Sequence, residues 1–377
     1  MNDMPLDNKP ERKSPQKTQL KGNKSRRILR TFVEIFLVTT LCLFAIVAGV
    51  ALSFYRTIEP PEIPSLPVHR AEELAYSYPG NDESGLLGLL IGGGLTAPER
   101  FTADDRKDLF FTFLIIGLNE GTNANTIMVA SYDGSSREIN LISIPRDSLM
   151  NVNRRGRKIS SAYMAGALGG RGRAGGVAQM QRDVMSVIGF IPDFYIVVCY
   201  DGFSAAIDAV GGIEIYVPFH KRYRDRRQNL YINIPPGLQH MNGETALHFA
   251  RFRRSSRGFR AITDYQRIEN QQMVVNAVID SLLRPANILR IPEFVNIFSR
   301  SMYTNLTFGN LLWFANELNY IRGTDAISAY TMPTVGTSGE PMWYELLNGP
   351  AIVELVNRTI NPYRKNILLR DINITHS

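Results

Sequence analysis

The chain has 377 residues, 44% hydrophobic and 20% charged, an ordinary globular balance that excludes a small fold dependent on disulfides or metals for its stability. A formal net charge of +7 raises the question of nucleic acid or an anionic surface. However, Lys9, Arg12, Lys13, Lys17, Lys21, Lys24, Arg26, Arg27 and Arg30 crowd the start of the chain, so much of the excess belongs to a tail and the folded part is nearer neutral.

Residues 1–31 are polar, basic and punctuated by proline, too poor in apolar surface to offset the entropy of ordering, and are predicted to be a disordered cytoplasmic tail. Phe32–Tyr55 (FVEIFLVTTLCLFAIVAGVALSFY) has Glu34 as its only charge and the length to cross a ~30 Å hydrocarbon core as a helix. A signal peptide would have a shorter apolar region of ~7–15 residues and a cleavage site, so the run is predicted to be a transmembrane anchor. The basic block precedes it and Arg56, Glu59 and Glu62 follow, which places the N-terminus in the cytoplasm and the rest of the chain outside. Residues 56–108, with EPPEIPSLP and YPGNDESG, read as a proline-stiffened stalk. Within them Leu86–Leu95 is apolar and glycine-rich but too short to span, and is expected to pack on the domain.

The main domain is predicted over 109–377. FFTFLIIGL, TIMVASYD and EINLISIP are short Val/Ile/Phe-rich runs that read as strands. Gly176–Ile188 reads as a helix, DFYIVVCY as a strand, and DGFSAAIDAVGG as a short helix stopped by Gly211 and Gly212 before the strand GIEIYVP. Helices are predicted at Gly243–Arg251, Ile262–Leu283, Ile291–Ser301, Phe308–Ile321 and Ile352–Thr359, with AISAYTMP a late strand. The alternation predicts an α/β layer fold. Cys42 lies in the membrane run and Cys199 in a predicted strand, so no intrachain disulfide is expected, which is no argument against export.

Functional side chains gather in SIPRDSL (Ser143–Leu149), ARFRR (Ala250–Arg254) and DYQRIENQQ (Asp264–Gln272). Arg146 follows a strand and a proline, where the chain leaves a sheet and a side chain can reach a crevice at the strand ends. Arg251 and Arg253 flank one residue, so on a strand or extended turn both would face one side. Asp264, Arg267 and Gln271 share one face of a helix. Guanidinium groups converging on one cleft suit a pyrophosphate, because each planar fork makes paired charge-assisted bonds to phosphate oxygens. A single arginine is more often a solvated surface residue; it is the set that points to a site. Arg254, Arg257, Arg260 and the run His220–Arg227 (HKRYRDRR) read as solvated loop charge, with attraction of an anionic polymer as the alternative.

Together with FLIIGLNEGTNANTIMVASYD and DAVGGIEIYVP, these segments resemble the LytR-CpsA-Psr family, in the family's order from about Phe111 to Ile279. The resemblance implies a mixed β-sheet sandwiched between helices. It implies transfer of a glycopolymer, such as teichoic acid or capsular polysaccharide, from an undecaprenyl-pyrophosphate carrier to peptidoglycan, leaving a phosphodiester link. By motif, Arg146, Arg251, Arg253, Arg267 and Gln271 would contact phosphate, and Asp264 would orient them or act as base, so that Arg146, Asp264 and Arg267 form the catalytic set. The carrier's isoprenoid tail would need an apolar tunnel, which Phe194–Cys199 and Met273–Leu283 would line if they are more than plain core.

The family's divalent metal, Mg²⁺, is expected at two aspartates after the first strand, where this chain has Asn119 and Asn125; Asn123 and Asn270 stand where many members have arginine. A neutral amide is a poorer Mg²⁺ ligand than a carboxylate, so metal affinity should fall, although Glu120 beside Asn119 offers a substitute. Two readings follow: a glycopolymer–peptidoglycan phosphotransferase, or a polyprenyl-phosphate-binding scaffold or sensor of the cell envelope descended from one. A transcriptional regulator is opposed by the topology and by the lack of a helix-turn-helix or zinc pattern, so no nucleic-acid partner is expected. Ser143 and Cys199 lack a nucleophile motif, and His220, His240 and His248 lack metal spacing. Asn305, Asn357 and Asn373 begin N-x-T triplets and are assigned no glycans.

Overall fold

A computed structural model of the chain describes residues 59–63 and 101–375, apart from 120–122, 155, 169, 227–229, 256–260, 285–286, 288–290, 319, 322–325 and 340–341. The predicted tail, the membrane span and the Leu86–Leu95 segment lie outside the described residues. Among the described residues no helix is long and apolar enough to cross a membrane.

The three apolar runs form β1 (Phe110–Leu118), β2 (Ala124–Asp133) and β3 (Glu138–Ser143), paired antiparallel in succession. β4 (Phe194–Val198) joins the free edge of β1 in parallel, and the short β9 (Tyr303–Thr304) closes that side antiparallel to β4. The late strand β10 (Ile327–Thr331) runs parallel to β3. The result is a mixed six-stranded sheet in the order β10-β3-β2-β1-β4-β9.

Side chains of β1 alternate between two cores, as a strand requires. Leu114 and Ile116 pack with Ile127, Val129 and Ile142 against Val177, Met180 and Val184 of α2 (Gly172–Ile188) and Ile352 and Val356 of α8 (Gly349–Thr359). Phe113 and Ile115 face the other way, with Met128, Ala130 and Leu141, toward Val275 of α5 (Asp264–Leu283). Phe314 of α7 (Phe308–Leu318) meets the Phe113 ring edge-on at 5.0 Å. The expected sandwich of a mixed sheet between helices is therefore present.

A second core lies beyond α5. It is built by α3 (Tyr200–Ala209), the strand pairs β5/β8 (Ile213–Val217 with Gly237–Met241) and β6/β7 (Lys221–Asp225 with Leu230–Ile234), and α4 (Gly243–Arg251). Helix α5 serves both cores: Val275 faces the sheet, while Val274 and Ala277 belong to the second core. A helix packed on two sides buries even polar positions, and Arg267 and Asn270 are 5% and 7% exposed.

Two expectations need correction, and one element was not anticipated. The charged run read as loop contains strand β6, whose Lys221 is buried with Nζ 4.4, 4.9 and 5.0 Å from the ring centroids of Phe219, Phe249 and Phe252. Residues 101–108, assigned to the stalk, are part of the domain: Phe101 stacks on Tyr363 at 4.2 Å, and Lys107 N donates to Pro362 O at 2.9 Å. A hairpin of β11 (Thr334–Ser338) and β12 (Tyr344–Leu347), not predicted at all, follows β10.

Candidate anion-binding site

Three segments converge on Asp264. β3 ends at Ser143, and the buried Ile144 and Pro145 carry the chain to Arg146. α5 begins with a capping box in which Thr263 and Gln266 each satisfy the other's backbone N–H, and this puts Asp264 in the first turn, where the helix dipole favours a carboxylate. Arg253 lies in the loop between α4 and α5, closed by the hydrogen bond from Ile262 N to Arg253 O at 2.8 Å.

One carboxylate consequently faces three guanidinium groups. Asp264 Oδ1 is 3.1 Å from Arg267 Nη1 and 3.4 Å from Arg253 Nη2, and its Oδ2 is 3.7 Å from Arg146 Nε. Burial pushes the Asp264 carboxyl up, but Arg267, Arg146 and Arg253 together outweigh it and hold the group below the usual aspartate range. Burial, and then repulsion from Arg146, lowers Arg267 to about 10, which leaves it charged at neutral pH. The side chains are 6%, 20% and 53% exposed for Arg267, Arg146 and Arg253, so the cluster grades from a buried floor to an open rim.

Two of these arginines, and Asn270 one helical turn beyond Arg267, carry unused donors. Arg146 Nε, Arg267 Nε and Asn270 Nδ2 are buried and have no hydrogen-bond partner. A buried donor left unmade costs about 1–3 kcal/mol, and an oxyanion at this position would satisfy several donors with charge-assisted bonds.

The other expected residues are distributed unevenly. Gln271 follows Arg267 one turn along α5 and is half-buried, on the face the spacing predicts. Arg251 ends α4 rather than lying on a strand, the backbone turns extended at the fully buried Phe252, and its guanidinium lies over the Tyr200 ring at 4.3 Å. Arg253 reaches Asp264, its Nη2 3.4 Å from Oδ1. Ser143 Oγ accepts from Gln272 Nε2 at 3.0 Å, a structural role. Residues that the sequence reading missed surround the rim: Asp147, Lys158, Tyr265 and Glu345. Lys158 Nζ is 2.9 Å from Asp147 Oδ1, and Tyr265 OH is 2.7 Å from Thr334 Oγ1.

Asn119 and Asn125 flank the turn after β1. Gly117 sits at a bulge there, and a Cβ on it would lie 2.8 Å from Thr126 Cβ, so the close pairing with β2 favours glycine. Asn119 Oδ1 accepts from Asn123 N at 3.3 Å, and Asn125 Oδ1 accepts from Arg146 Nη1 at 2.9 Å. Both amide oxygens thus face donors, one of them a cation, an arrangement that does not fit a divalent metal ion. Glu120 lies outside the described residues, among which no group of three or more His, Cys, Asp or Glu is placed to hold a metal.

Residues 98–361 match the LytR_cpsA_psr family, and the chain belongs to that family. It is similar to the polyisoprenyl-teichoic acid–peptidoglycan teichoic acid transferase TagV of Bacillus subtilis, 28% identical over 216 residues, which is 54% of this chain and 51% of TagV. The chain thus spans about half the length of that relative. It is 24% identical to the regulatory protein MsrR of Staphylococcus aureus over 242 residues, 62% of this chain and 68% of MsrR. The crystal structure of B. subtilis TagV shares the fold with a TM-score of 0.55 at 24% identity, covering 67% of this chain and 96% of that one. TagT has been solved bound to LIIa-WTA, and that structure matches with a TM-score of 0.53 at 17% identity over 70% of this chain and 93% of TagT.

Proposed function

We propose that this protein transfers a glycopolymer of the teichoic acid or capsular polysaccharide type from an undecaprenyl-pyrophosphate carrier to peptidoglycan. The observation that carries the reading is the set of buried donors without partners on Arg146, Arg267 and Asn270, next to three guanidinium groups that share one carboxylate. A pyrophosphate supplies the oxygens these groups lack, and Arg253, the most exposed of the three, suits the outer phosphate. Charge that develops on the departing phosphate meets fixed cations, which is how most phosphoryl transfer is catalysed. Phe113, Ile115, Val275 and Ala329 are apolar and only partly covered between sheet and α5, a surface suited to the isoprenoid tail. The predicted anchor would hold the domain on the outer side of the membrane, where carrier and peptidoglycan meet.

In this reading Asn119 and Asn125 stand at the family's metal-ligand positions, and Arg146 occupies the field a cation would fill, so no step is routed through a metal. The same two residues favour a second reading, a scaffold or sensor that binds the lipid pyrophosphate without turning it over. The test is incubation of the full chain with a polyprenyl-pyrophosphate-linked glycan and peptidoglycan fragments. Phosphodiester-linked product and released polyprenyl monophosphate are expected. Arg267→Met should reduce both by about 10²-fold or more, the usual cost of removing one partner from a buried charged contact. Lipid that is retained and never consumed would replace the transfer reading with the scaffold.

A further inference from the structure

A second carboxylate stands at the rim of the arginine cluster. Glu345 lies in β12, and its backbone is fixed to the loop that carries Arg146: its N–H donates to Asp147 O at 3.0 Å, and its carbonyl accepts from Leu149 N at 2.9 Å. Its Oε2 is 3.5 Å from the hydroxyl of Tyr265, the residue next to Asp264 in the first turn of α5. Glu345 is half-buried, so one side of it remains open to solvent.

The two carboxylates sit in opposite fields. Asp264 is surrounded by Arg267, Arg146 and Arg253, which hold it ionised and make it a poor proton acceptor. Glu345 is pushed up by burial and by the Asp147 and Asp264 carboxylates, against the lowering effect of the Tyr265 hydrogen bond. The facing groups are Tyr265 and Asp264 from α5, and Asp147 from the loop after β3. The nearby cations lie against other groups: Lys158 Nζ is 2.9 Å from Asp147 and 5.9 Å from the Tyr344 ring, and Arg146 faces Asn125, Asp147 and Asp264. Neighbouring carboxyls driven apart in this way mark a division of labour between an ionised partner and a proton carrier.

Resting on the transfer reading above, we infer that Glu345 is the base that takes the proton of the acceptor hydroxyl, while Asp264 positions the arginines. The acceptor oxygen forms a bond to the phosphorus that bears the glycan. The bond from that phosphorus to the bridging oxygen breaks, its electron pair leaving with polyprenyl monophosphate. The hydroxyl proton passes to the Glu345 carboxylate and then to water.

The test compares kcat, KM and pH profile for the full chain, Glu345→Gln, Asp264→Asn and Tyr265→Phe with the polyprenyl-pyrophosphate-linked glycan and peptidoglycan fragments. Glu345→Gln preserves size and backbone bonds. It should lower kcat by about 10²–10⁴-fold, leave KM for the lipid little changed, and remove the acid limb of the kcat profile. Asp264→Asn should act mainly on KM. Tyr265→Phe should move the acid limb to higher pH, because it deletes the hydrogen bond that steadies the ionised glutamate. An unaltered kcat and acid limb in Glu345→Gln, or an unmoved limb in Tyr265→Phe, would overturn the inference while transfer itself stood. Absence of turnover by the unaltered chain would overturn the transfer reading and the base with it.

Discussion

Two buried arginine sites in this molecule are built on opposite plans. At the start of β1, Arg106 meets Asp193 at 2.8 Å, and the same carboxylate oxygen accepts from Thr112 N at 2.9 Å and Thr112 Oγ1 at 2.7 Å. One cation, one anion and two neutral donors close on each other there; Arg106 Nε alone lacks a partner. At the far end of the adjoining strands, three cations share Asp264, and donors on three different residues are unused. The first arrangement ties the ends of β1 and β4 together, with the cation matched by an anion of the protein's own. The second gathers three cations on one carboxylate beside donors without partners, the features on which the proposed pyrophosphate site rests.

The largest effect expected from this contrast is on folding. Asp193→Ala leaves a buried guanidinium without its anion and should cost about 3–5 kcal/mol, measured by urea unfolding, with no change in affinity for inorganic pyrophosphate beyond that loss. Asp264→Ala should cost less, about 1–3 kcal/mol, and inorganic pyrophosphate should return part of it by binding the folded state, seen as a larger ligand-induced rise in Tm than in the unaltered chain. Similar responses of the two variants to pyrophosphate would break the comparison.

Lys221 gives a third case, a buried cation faced by rings. Burial lowers it to about 8 from 10.5. The folded state therefore releases its proton before the unfolded state does, and stability should rise as pH increases from about 8 to 10.5. Lys221→Met should flatten that rise in Tm against pH. The smallest effect belongs to the rim: Asp264 has a lowered folded-state pKa, so its stabilising contribution is present at neutral pH and fades as the pH falls through that value. With its side chain 34% exposed, acid titration of Tm should show only a shallow change there.

Much of the sheet and its helices was legible because local pattern decided them. FFTFLIIGL, the Asp264–Arg267 spacing and the two glycines after α3, at φ +79° and +87°, state their own conformation. The second core was less legible. KRYRD reads as solvent-facing charge, and becomes a strand because Leu230–Ile234 pairs with it and three phenylalanines cover Lys221. Phe252 between Arg251 and Arg253 is fully buried, and Arg251 ends a helix rather than lying on a strand, a tertiary demand invisible in their spacing. Glu345 could not be linked to Tyr265 from sequence, since the pair is joined through β12 across 80 positions. Orphan donors are likewise properties of packing: Asn270 read as a mild substitution, and its Nδ2 is buried without a partner.

The most direct test of the central claim is transfer by the full chain in the presence of excess chelator, beside Asn119→Asp/Asn125→Asp treated identically. The account predicts phosphodiester product from the natural sequence whether or not Mg²⁺ is supplied, because in the proposed reading the arginines hold the pyrophosphate without a metal. Turnover confined to the double-aspartate variant with Mg²⁺, while the natural chain only retains the lipid, would contradict it.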